Sequence, residues 1–135
     1  RLAQVLGSLV AKRVLLLGVT FRPNVSVTAH TNALDLLREL TLRGAIVEAH
    51  DALLSEDEVR RLGFRTAREP FGTYDAVVVH ACHDAYRGLD WGRIAPILFD
   101  ARNALDPAAV TATGAAYLGV GRPLRNPAGA SFTER

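Results

Sequence analysis

The stretch Arg13–Asn24, RVLLLGVTFRPN, decides the fold of this chain. It begins with a strand pattern at Arg13–Leu17, in which residues 14–17 are all apolar and run directly into Gly18. A strand that is apolar throughout is typical of a parallel sheet covered on both faces. The residues after it, Phe21–Asn24, predict an irregular loop at the carboxyl end of that strand, where open α/β sheets bind their ligands. The stretch therefore predicts a type of sheet and also the location of a site.

Further strand patterns alternate with helix patterns along the rest of the chain. Such alternation implies a parallel sheet with right-handed crossovers and helices on both faces. We therefore predict an α/β fold with a doubly wound, mainly parallel, six-stranded Rossmann-like sheet in three layers. The helix that stops at Gly44 is expected to face the sheet with Leu34, Leu37 and Leu40. After the first strand, the predicted elements are a helix capped by Thr31 or Asn32, strands at Ala45–His50, Phe64–Thr66, Ala76–Ala81, Ile97–Asp100 and Ala115–Leu118, and helices at Ser55–Leu62, Asp90–Ile94 and Pro107–Thr111.

The chain divides into three predicted parts. The first part is residues 1–12: apolar residues recur at helical spacing over the first eleven residues, but this pattern has no start signal of its own. We therefore expect this part to be the end of a helix that belongs to a longer polypeptide. Residues 13–121 carry the strand and helix patterns of one α/β domain. Residues 122–135 are rich in glycine and proline and are predicted to form a flexible tail.

Composition excludes several classes of protein. A formal charge of +2, with both signs well mixed along 135 residues, predicts no nucleic-acid partner and no binding to a membrane surface. The single cysteine, Cys82, excludes an internal disulfide and fits a reducing compartment. No apolar stretch has the uninterrupted length of a membrane span or the form of a signal peptide. We expect a cytoplasmic protein.

A nicotinamide dinucleotide site is the first ligand site to consider in such a sheet. Its fingerprint needs three glycines, whereas the loop here has only Gly18. Asp51 ends the second strand, where a ribose-binding acid belongs. In the fingerprint, roughly twenty residues separate the glycines from this acid, whereas the separation between Gly18 and Asp51 is larger. We predict that this chain binds no such cofactor. Gly18 then serves either a ligand or a strand end that accepts no Cβ.

Histidine and cysteine residues near the strand ends suggest a metal site or a nucleophile. His80, Cys82 and His83 follow the fourth strand, and His30 and His50 lie near other strand ends. One thiol and scattered histidines lack the paired ligand spacing of zinc sites. A catalytic base normally comes from elsewhere in the fold, whereas His83 is adjacent to the thiol. We predict no metal site and no catalytic thiol.

Phe21, Arg22, Asn24 and Arg102 are the candidate ligand-binding residues. An apolar ring beside a guanidinium suits a ligand with a planar ring and an anionic group, although such a loop sequence is also ordinary turn chemistry. Arg102 follows the fifth strand, where it is able to reach a phosphate or a carboxylate if Asp100 orients it. The alternative is a surface Asp–Arg pair, worth under roughly 1 kcal/mol.

Several short blocks in a fixed order carry a further signal: Leu17–Asn24, Ala33–Asp35, Gly44–Val47, Asp75–Ala76, His83 with Tyr86, Asp100–Asn103 and Tyr117–Arg122. Together they resemble the C-terminal, nucleotide-sugar-binding domain of the UDP-glucose/GDP-mannose dehydrogenase family. The family has Leu-Gly-x-x-Phe-Lys-Pro-Asn at the first block, so Arg22 stands for its lysine. The resemblance covers nearly the whole chain, and residues 1–12 resemble the end of the long central helix that enters this domain.

The resemblance implies a substrate, a reaction and an assembly. The reaction would be an NAD-dependent oxidation of the C6 alcohol of a nucleotide sugar to a uronic acid. NAD would be bound by a domain that is not in this chain. The catalytic cysteine would belong to a segment that precedes this chain. The chain alone is therefore expected to be inactive and to hold no catalytic residue. Phe21, Arg22, Asn24 and Arg102 would line the UDP-sugar cleft, and the full enzyme would be a homodimer or larger.

The loop Val25–Asn32 departs from the family pattern. The family has an acidic pair followed by Arg-Glu-Ser-Pro, whereas Ala29 and His30 stand here for the arginine and the glutamate. Loss of a guanidinium beside an anionic ligand removes roughly 1.5–3 kcal/mol of charge-assisted hydrogen bonding. The alternative function is therefore a non-catalytic module for small-anion binding or assembly. An upstream glycine fingerprint and a cysteine-bearing segment would distinguish the enzyme from the module.

Overall fold

A six-stranded sheet forms the centre of the fold in a computed structural model that describes residues 1–134. The strand order is β3-β2-β1-β4-β5-β6, and every neighbouring pair is parallel. The order reverses between β1 and β4, which makes their carboxyl ends the switch point of the sheet. The predicted doubly wound α/β fold is confirmed. The strands are β1 (Arg13–Leu17), β2 (Ile46–His50), β3 (Arg65–Thr66), β4 (Ala76–Val79), β5 (Ile97–Asp100) and β6 (Ala116–Gly119).

Helices cover both faces of the sheet and complete three layers. The first three helices pack on one face, and the last two pack on the other. A short 3₁₀ turn, Asp84–Tyr86, follows β4. Among residues 1–134, no helix combines the length and the apolar character that crossing a membrane requires. The helices are α1 (Leu2–Leu6), α2 (Ala33–Leu42), α3 (Glu56–Arg61), α4 (Trp91–Ile94) and α5 (Pro107–Ala112).

Strand β1 is buried from residue 14 to residue 17, as its uninterrupted apolar pattern predicts. Val14 and Leu16 belong to the core on one face of the sheet, and Leu15 and Leu17 belong to the core on the other. All four are 0% exposed. Successive side chains of a strand point to opposite faces, so both faces need apolar residues here. Burying each such side chain contributes about 1.5–3 kcal/mol.

Two predicted helix starts have the capping that their sequences indicate. The Ser55 hydroxyl accepts a hydrogen bond from the Glu58 N–H, and the Glu58 carboxylate accepts one from the Ser55 N–H, each at 3.1 Å. This reciprocal capping box satisfies two N–H groups at the start of α3. At α5, the Asp106 carboxylate accepts from the Ala108 N–H at 3.2 Å, and Pro107 is the first helical residue. Local sequence therefore sets both helix starts.

The first helix is shorter than predicted. The sequence predicted a helix over the first eleven residues, whereas α1 ends at Leu6 because Gly7 adopts the left-handed conformation, with φ of +81°. Leu9 still packs into the core, but Val10 is 68% exposed. The helical spacing of apolar residues in the sequence therefore continues beyond the end of α1. Such a glycine is a common helix terminator.

Helix α2 begins at the predicted cap, but it faces the sheet differently from the prediction. Leu34, expected inside, is 41% exposed, whereas Ala33 is fully buried and Leu40 is buried as predicted. The Asn32 side chain makes no capping hydrogen bond; the Thr31 hydroxyl instead accepts from the Ala33 N–H at 3.2 Å. The inward face of α2 therefore begins one residue earlier than the leucine spacing indicates.

The segment after β6 returns to the sheet. Arg125 and Tyr117 exchange two backbone hydrogen bonds in an antiparallel bridge, and Leu124 and Phe132 pack against the core. Glu134 pairs with the Arg1 guanidinium at 2.7 Å. The flexibility predicted for residues 122–135, and the boundaries at 12/13 and 121/122, stay predictions. Arg135 lies outside the described residues.

Candidate functional site

The loops after β1 and β4 are joined where the strand order reverses. The His80 ring donates through Nδ1 to the Gly18 carbonyl at 2.9 Å, and the His80 N–H donates to the Leu17 carbonyl at 2.9 Å. Gly18 has φ of +80°, and an added Cβ would overlap the Ala81 carbonyl oxygen. Gly18 is therefore needed for the close approach of two backbones. The sequence left two roles for Gly18, a ligand contact or a strand end that accepts no Cβ. The contact with Ala81 supports the second role.

Asp51, at the end of β2, is a buried acceptor for four donors. Its Oδ2 accepts from the N–H groups of Val19 and Thr20, at 2.7 and 3.3 Å. Its Oδ1 accepts from the Leu53 N–H at 2.8 Å and from His83 Nε2 at 2.9 Å. Because Asp51 is only 3% exposed, its carboxylate is not available to a ribose. The acid at the position of a ribose-binding residue therefore organises the loop after β1.

His83 joins Asp51 to the candidate ligand-binding loop. Its Nδ1 accepts from the Asn24 N–H at 2.8 Å, so the proton lies on Nε2 and is donated to the Asp51 carboxylate. The Asn24 side-chain oxygen accepts from the Asp84 N–H at 3.0 Å, and Asn24 has φ of +62°. The backbone N–H and the side-chain oxygen of Asn24 therefore both hold the loop in place. Its predicted contact with a ligand stays a prediction.

Phe21 and Arg22 lie in a narrow hairpin bend. The Phe21 N–H donates to the Val27 carbonyl at 2.8 Å, and Arg22 pairs with Val25 in an antiparallel bridge. The Phe21 ring is 43% exposed on this fixed backbone. The Arg22 guanidinium is exposed and has no hydrogen bond or ion pair within residues 1–134. Both side chains are therefore free to meet a ligand.

Arg102 is not oriented by Asp100 in the way the sequence suggested. The fully buried Asp100 carboxylate accepts from the Leu105 N–H at 2.8 Å, the Ala104 N–H at 3.1 Å and the Tyr117 hydroxyl at 2.8 Å. Only the backbone N–H of Arg102 approaches it, at 3.4 Å. Neither the orientation of the Arg102 side chain by Asp100 nor the alternative, a surface Asp–Arg pair, is found in the described part of the chain. Asp100 shapes the loop, and the Arg102 guanidinium stays exposed.

The chain after β6 supports the same loop. The Asn103 side chain exchanges hydrogen bonds with the backbone of Val120, at 2.8 and 2.9 Å. Arg122 donates to the Tyr117 hydroxyl at 3.1 Å. Burial first, and then the hydrogen bond to Asp100, raises the pKa of Tyr117 to about 12, so this hydroxyl stays a donor. Two sequence blocks distant along the chain thus hold each other in place.

His80 lies between the β1 loop and Arg102. Burial is the main cause that lowers its pKa, and the nearby positive charge of Arg102 lowers it further. The structure therefore brings Phe21, Arg22 and Arg102 to one edge, beyond strands β1 and β5, which flank β4. Neighbouring strands lie about 4.8 Å apart, so the carboxyl ends of β1 and β5 are separated by roughly 10 Å. Side chains of this length can meet one ligand across that gap.

Acid is expected to destabilise the chain through His50 and His80. Burial lowers the pKa of both imidazoles below the value of about 6.5 that they have when unfolded. The unfolded state then binds more protons, so the stability is fully present above about pH 6.5 and is lost as the pH falls toward the folded-state values. Urea midpoints measured above and below that pH test this. The dependence of the urea midpoint on pH should be weaker in His80→Gln and unchanged in the control His30→Gln, where the histidine is exposed. A midpoint that does not vary with pH in the unaltered chain would contradict this prediction.

Cys82 is buried, and the histidine next to it in sequence is engaged by other groups. Burial raises the pKa of the Cys82 thiol, which opposes formation of the nucleophilic thiolate. The described residues contain no group of three or more His, Cys, Asp or Glu side chains placed to hold a metal ion. His83, adjacent to the thiol in sequence, is engaged by Asp51 and Asn24. The absence of a catalytic thiol and of a metal site therefore stays a prediction.

Sequence reasoning missed the buried Asp51–His83 pair. The two residues are 32 positions apart, and they meet only because β2 and β4 both neighbour β1. The sequence signals for this pair were polar residues that follow buried strands, Asp51 after β2 and His83 after β4. Their hydrogen bonds depend on the path of the loop after β1, which no local pattern specifies.

An open parallel sheet with two exposed, unpaired guanidinium groups beyond its carboxyl edge is typical of α/β domains that bind small anionic ligands. This chain belongs to the UDP-glucose/GDP-mannose dehydrogenase family: residues 15–107 match the model of its UDP binding domain. The predicted resemblance is thereby confirmed.

The chain is similar to nucleotide-sugar dehydrogenases. The chain is 29% identical over 126 residues to the UDP-glucose 6-dehydrogenase of Rhizobium meliloti (strain 1021), covering 87% of this chain and 29% of that protein. It is 28% identical over 102 residues to the UDP-N-acetyl-D-glucosamine 6-dehydrogenase of Pseudomonas aeruginosa, covering 70% and 24%. A UDP-glucose dehydrogenase structure from Pyrobaculum islandicum superposes with a TM-score of 0.72 at 26% identity, covering 90% and 28%. The chain therefore spans less than a third of each relative.

Proposed function

We propose that this chain is the substrate-binding domain of an NAD-dependent nucleotide-sugar 6-dehydrogenase, which oxidises the sugar C6 alcohol to a uronic acid. The observation that carries the proposal is that two exposed guanidinium groups, Arg22 and Arg102, have no side-chain partner among residues 1–134 and follow the carboxyl ends of strands in a domain of this family. A guanidinium matches the geometry of phosphate oxygens and keeps its charge at any physiological pH. The family membership favours this function over a non-catalytic module.

Each proposed contact has a distinct chemical task. Arg22 and Arg102 would bind the diphosphate, and the exposed Phe21 ring would pack against a planar or apolar face of the ligand. Asn24 would present its amide N–H₂ to the ligand, since its carbonyl oxygen is already bound to Asp84. The buried anchors Asp51 and His83 keep the loop in one conformation before the ligand arrives, which reduces the ordering cost of binding.

NAD does not fit the residues of this chain. The space that a pyrophosphate would need beside Gly18 is taken by the Ala81 backbone. The acid at the end of β2, Asp51, has all its hydrogen bonds inside the fold. We propose that NAD is bound by a domain outside this chain. We also propose that the full enzyme is cytoplasmic, forms a homodimer or larger assembly, and supplies uronic acids for polysaccharide biosynthesis.

Removing either guanidinium is expected to weaken UDP binding. Each charge-assisted contact is worth about 1.5–3 kcal/mol, so Arg22→Ala and Arg102→Ala should each raise the Kd for UDP roughly 10- to 100-fold. Arg61→Ala is the matched control, because this exposed arginine lies at the end of α3, at the opposite edge of the sheet. Isothermal titration measures the affinities. Saturating UDP should also raise the Tm of the unaltered chain.

Two outcomes would count against this proposal. The first is the absence of both a heat signal and a Tm shift with UDP and UDP-glucose, which would remove the assigned function. The second is an unchanged Kd in Arg102→Ala, which would remove Arg102 from the site while leaving the function intact.

A further inference from the structure

A separate cavity lies at the carboxyl ends of β2 and β3, on the other side of β1 from Arg102. It has a volume of about 240 Å³. Its apolar wall includes Leu54 and Val59, and the polar side chains at its edge include His50 and Glu69. Nothing in the proposed diphosphate contacts uses this cavity, although β2 is the immediate neighbour of β1.

The imidazole of His50 is held in one orientation. Its ring meets the Phe71 ring edge-on, at 5.0 Å between centroids, and its Nδ1 lies 2.7 Å from the Tyr86 hydroxyl. That hydroxyl also accepts from the Ala52 N–H at 2.8 Å and lies 3.1 Å from the His50 carbonyl. All three contacts are satisfied when the hydroxyl donates to the carbonyl and Nδ1–H donates to the hydroxyl. Neutral His50 therefore has its lone pair on Nε2.

The lone pair of His50 lies beside a carboxylate. Nε2 is 3.6 Å from Glu69 Oε1, and both residues line the cavity. Burial lowers the pKa of His50 and outweighs the opposite effect of Glu69, so the imidazole is neutral near pH 7. Two acceptors thus stand side by side without a proton between them. A ligand that donates two adjacent hydrogen bonds complements this pair.

The remaining charges of the cavity are already paired. Arg68 binds Glu56 through two hydrogen bonds, at 2.6 and 3.0 Å, and Asp51 is saturated inside the fold. Within residues 1–134, Glu69 has no guanidinium or ammonium partner. A phosphate would be repelled here, whereas hydroxyl groups would be accepted. The basic edge at Arg22 and the acidic cavity therefore favour opposite parts of one ligand.

We infer that this cavity binds a vicinal diol of the nucleotide sugar, with the Glu69 carboxylate and His50 Nε2 as its two acceptors. The inference rests on the proposed function and assigns part of the ligand to a second location. Acids near the end of the second strand commonly bind ribose hydroxyls in such sheets, and Glu69 takes this task because Asp51 is engaged elsewhere. The carboxyl end of β2 lies about 4.8 Å from that of β1, so the cavity neighbours the strand that leads to Arg22.

Titration of Glu69→Gln with three ligands tests the diol site. The variant keeps the side-chain size but loses one acceptor oxygen and the charge. If the ribose supplies the diol, UDP should bind the variant roughly ten-fold more weakly, and 2′-deoxy-UDP should bind the unaltered and variant chains alike. If the hexose supplies it, UDP affinity should be unchanged and UDP-glucose affinity should fall. Glu39→Gln, an exposed change on α2, is the matched control.

The results separate this inference from the proposed function. Equal affinities of unaltered chain and Glu69→Gln for both UDP and UDP-glucose would overturn the diol site while leaving the diphosphate site standing. Absence of binding to the unaltered chain would overturn the function first, and the diol site with it. An equal urea midpoint for the variant and the unaltered chain shows that the fold is intact, as expected for a half-exposed carboxylate.

Discussion

Gly18→Ala is expected to lower the free energy of unfolding by about 3 kcal/mol or more beyond the effect of Gly7→Ala. Both glycines have nearly the same positive φ, +80° and +81°. An added Cβ at Gly18 would overlap the Ala81 carbonyl oxygen and lie 2.7 Å from its carbon, whereas one at Gly7 meets nothing within 4 Å. The neighbour is backbone, so it is unable to move aside without separating the two loops.

Gly7→Ala measures the conformational cost alone. A left-handed alanine costs about 1–2 kcal/mol, and the loss of unfolded-chain freedom offsets about 0.4–1 kcal/mol of this. The difference between the two variants therefore isolates the contact with Ala81. Urea unfolding followed by circular dichroism gives both values. Similar losses for the two variants would show that the loops after β1 and β4 are not in close contact.

Asp51→Ala is expected to cost about 3–5 kcal/mol of folding free energy. The substitution leaves the N–H groups of Val19, Thr20 and Leu53 and the His83 ring without their acceptor in a buried site. Each unsatisfied group loses its contact with water as well as its partner. Urea unfolding measures the loss.

The control for Asp51→Ala is Asp35→Ala in the first turn of α2. Asp35 is exposed, so its loss should cost no more than about 1 kcal/mol through the helix dipole. Asp51→Asn provides a second comparison, because the amide keeps one acceptor but turns N–H₂ toward donors. Equal stability of Asp51→Ala and Asp35→Ala would contradict the buried network.

Much of the fold was predictable because its signals are local. The apolar run ending at Leu17 predicted a central buried strand, and the start residues Ser55 and Pro107 predicted two helix starts. Errors arose where a local pattern continued past the structure it indicated. Leu34 has helical spacing with Leu37, yet the packing of α2 on the sheet buries Ala33 in its place.

The candidate site was predictable only in part. Sequence order was enough to put Phe21, Arg22 and Arg102 after buried parallel strands, and parallel strands end at one edge. It did not reveal that Asp100 binds backbone N–H groups and Tyr117 instead of orienting Arg102. Asn24 was chosen for its polar side chain, yet its backbone and side chain both hold the loop.

The parallel sheet, the edge of the candidate site and the family were all predictable from the sequence alone, because these depend on periodicity, on chain direction and on the order of short blocks. The polar groups that are used up inside the fold, and those left for a ligand, became known from the three-dimensional packing. Asp51 and Glu69 are both acids near the ends of neighbouring strands, and nothing local distinguishes them. The loop after β1 surrounds Asp51 with donors, while Glu69 is left facing a cavity, and the chemistry of the edge follows from that difference in surroundings.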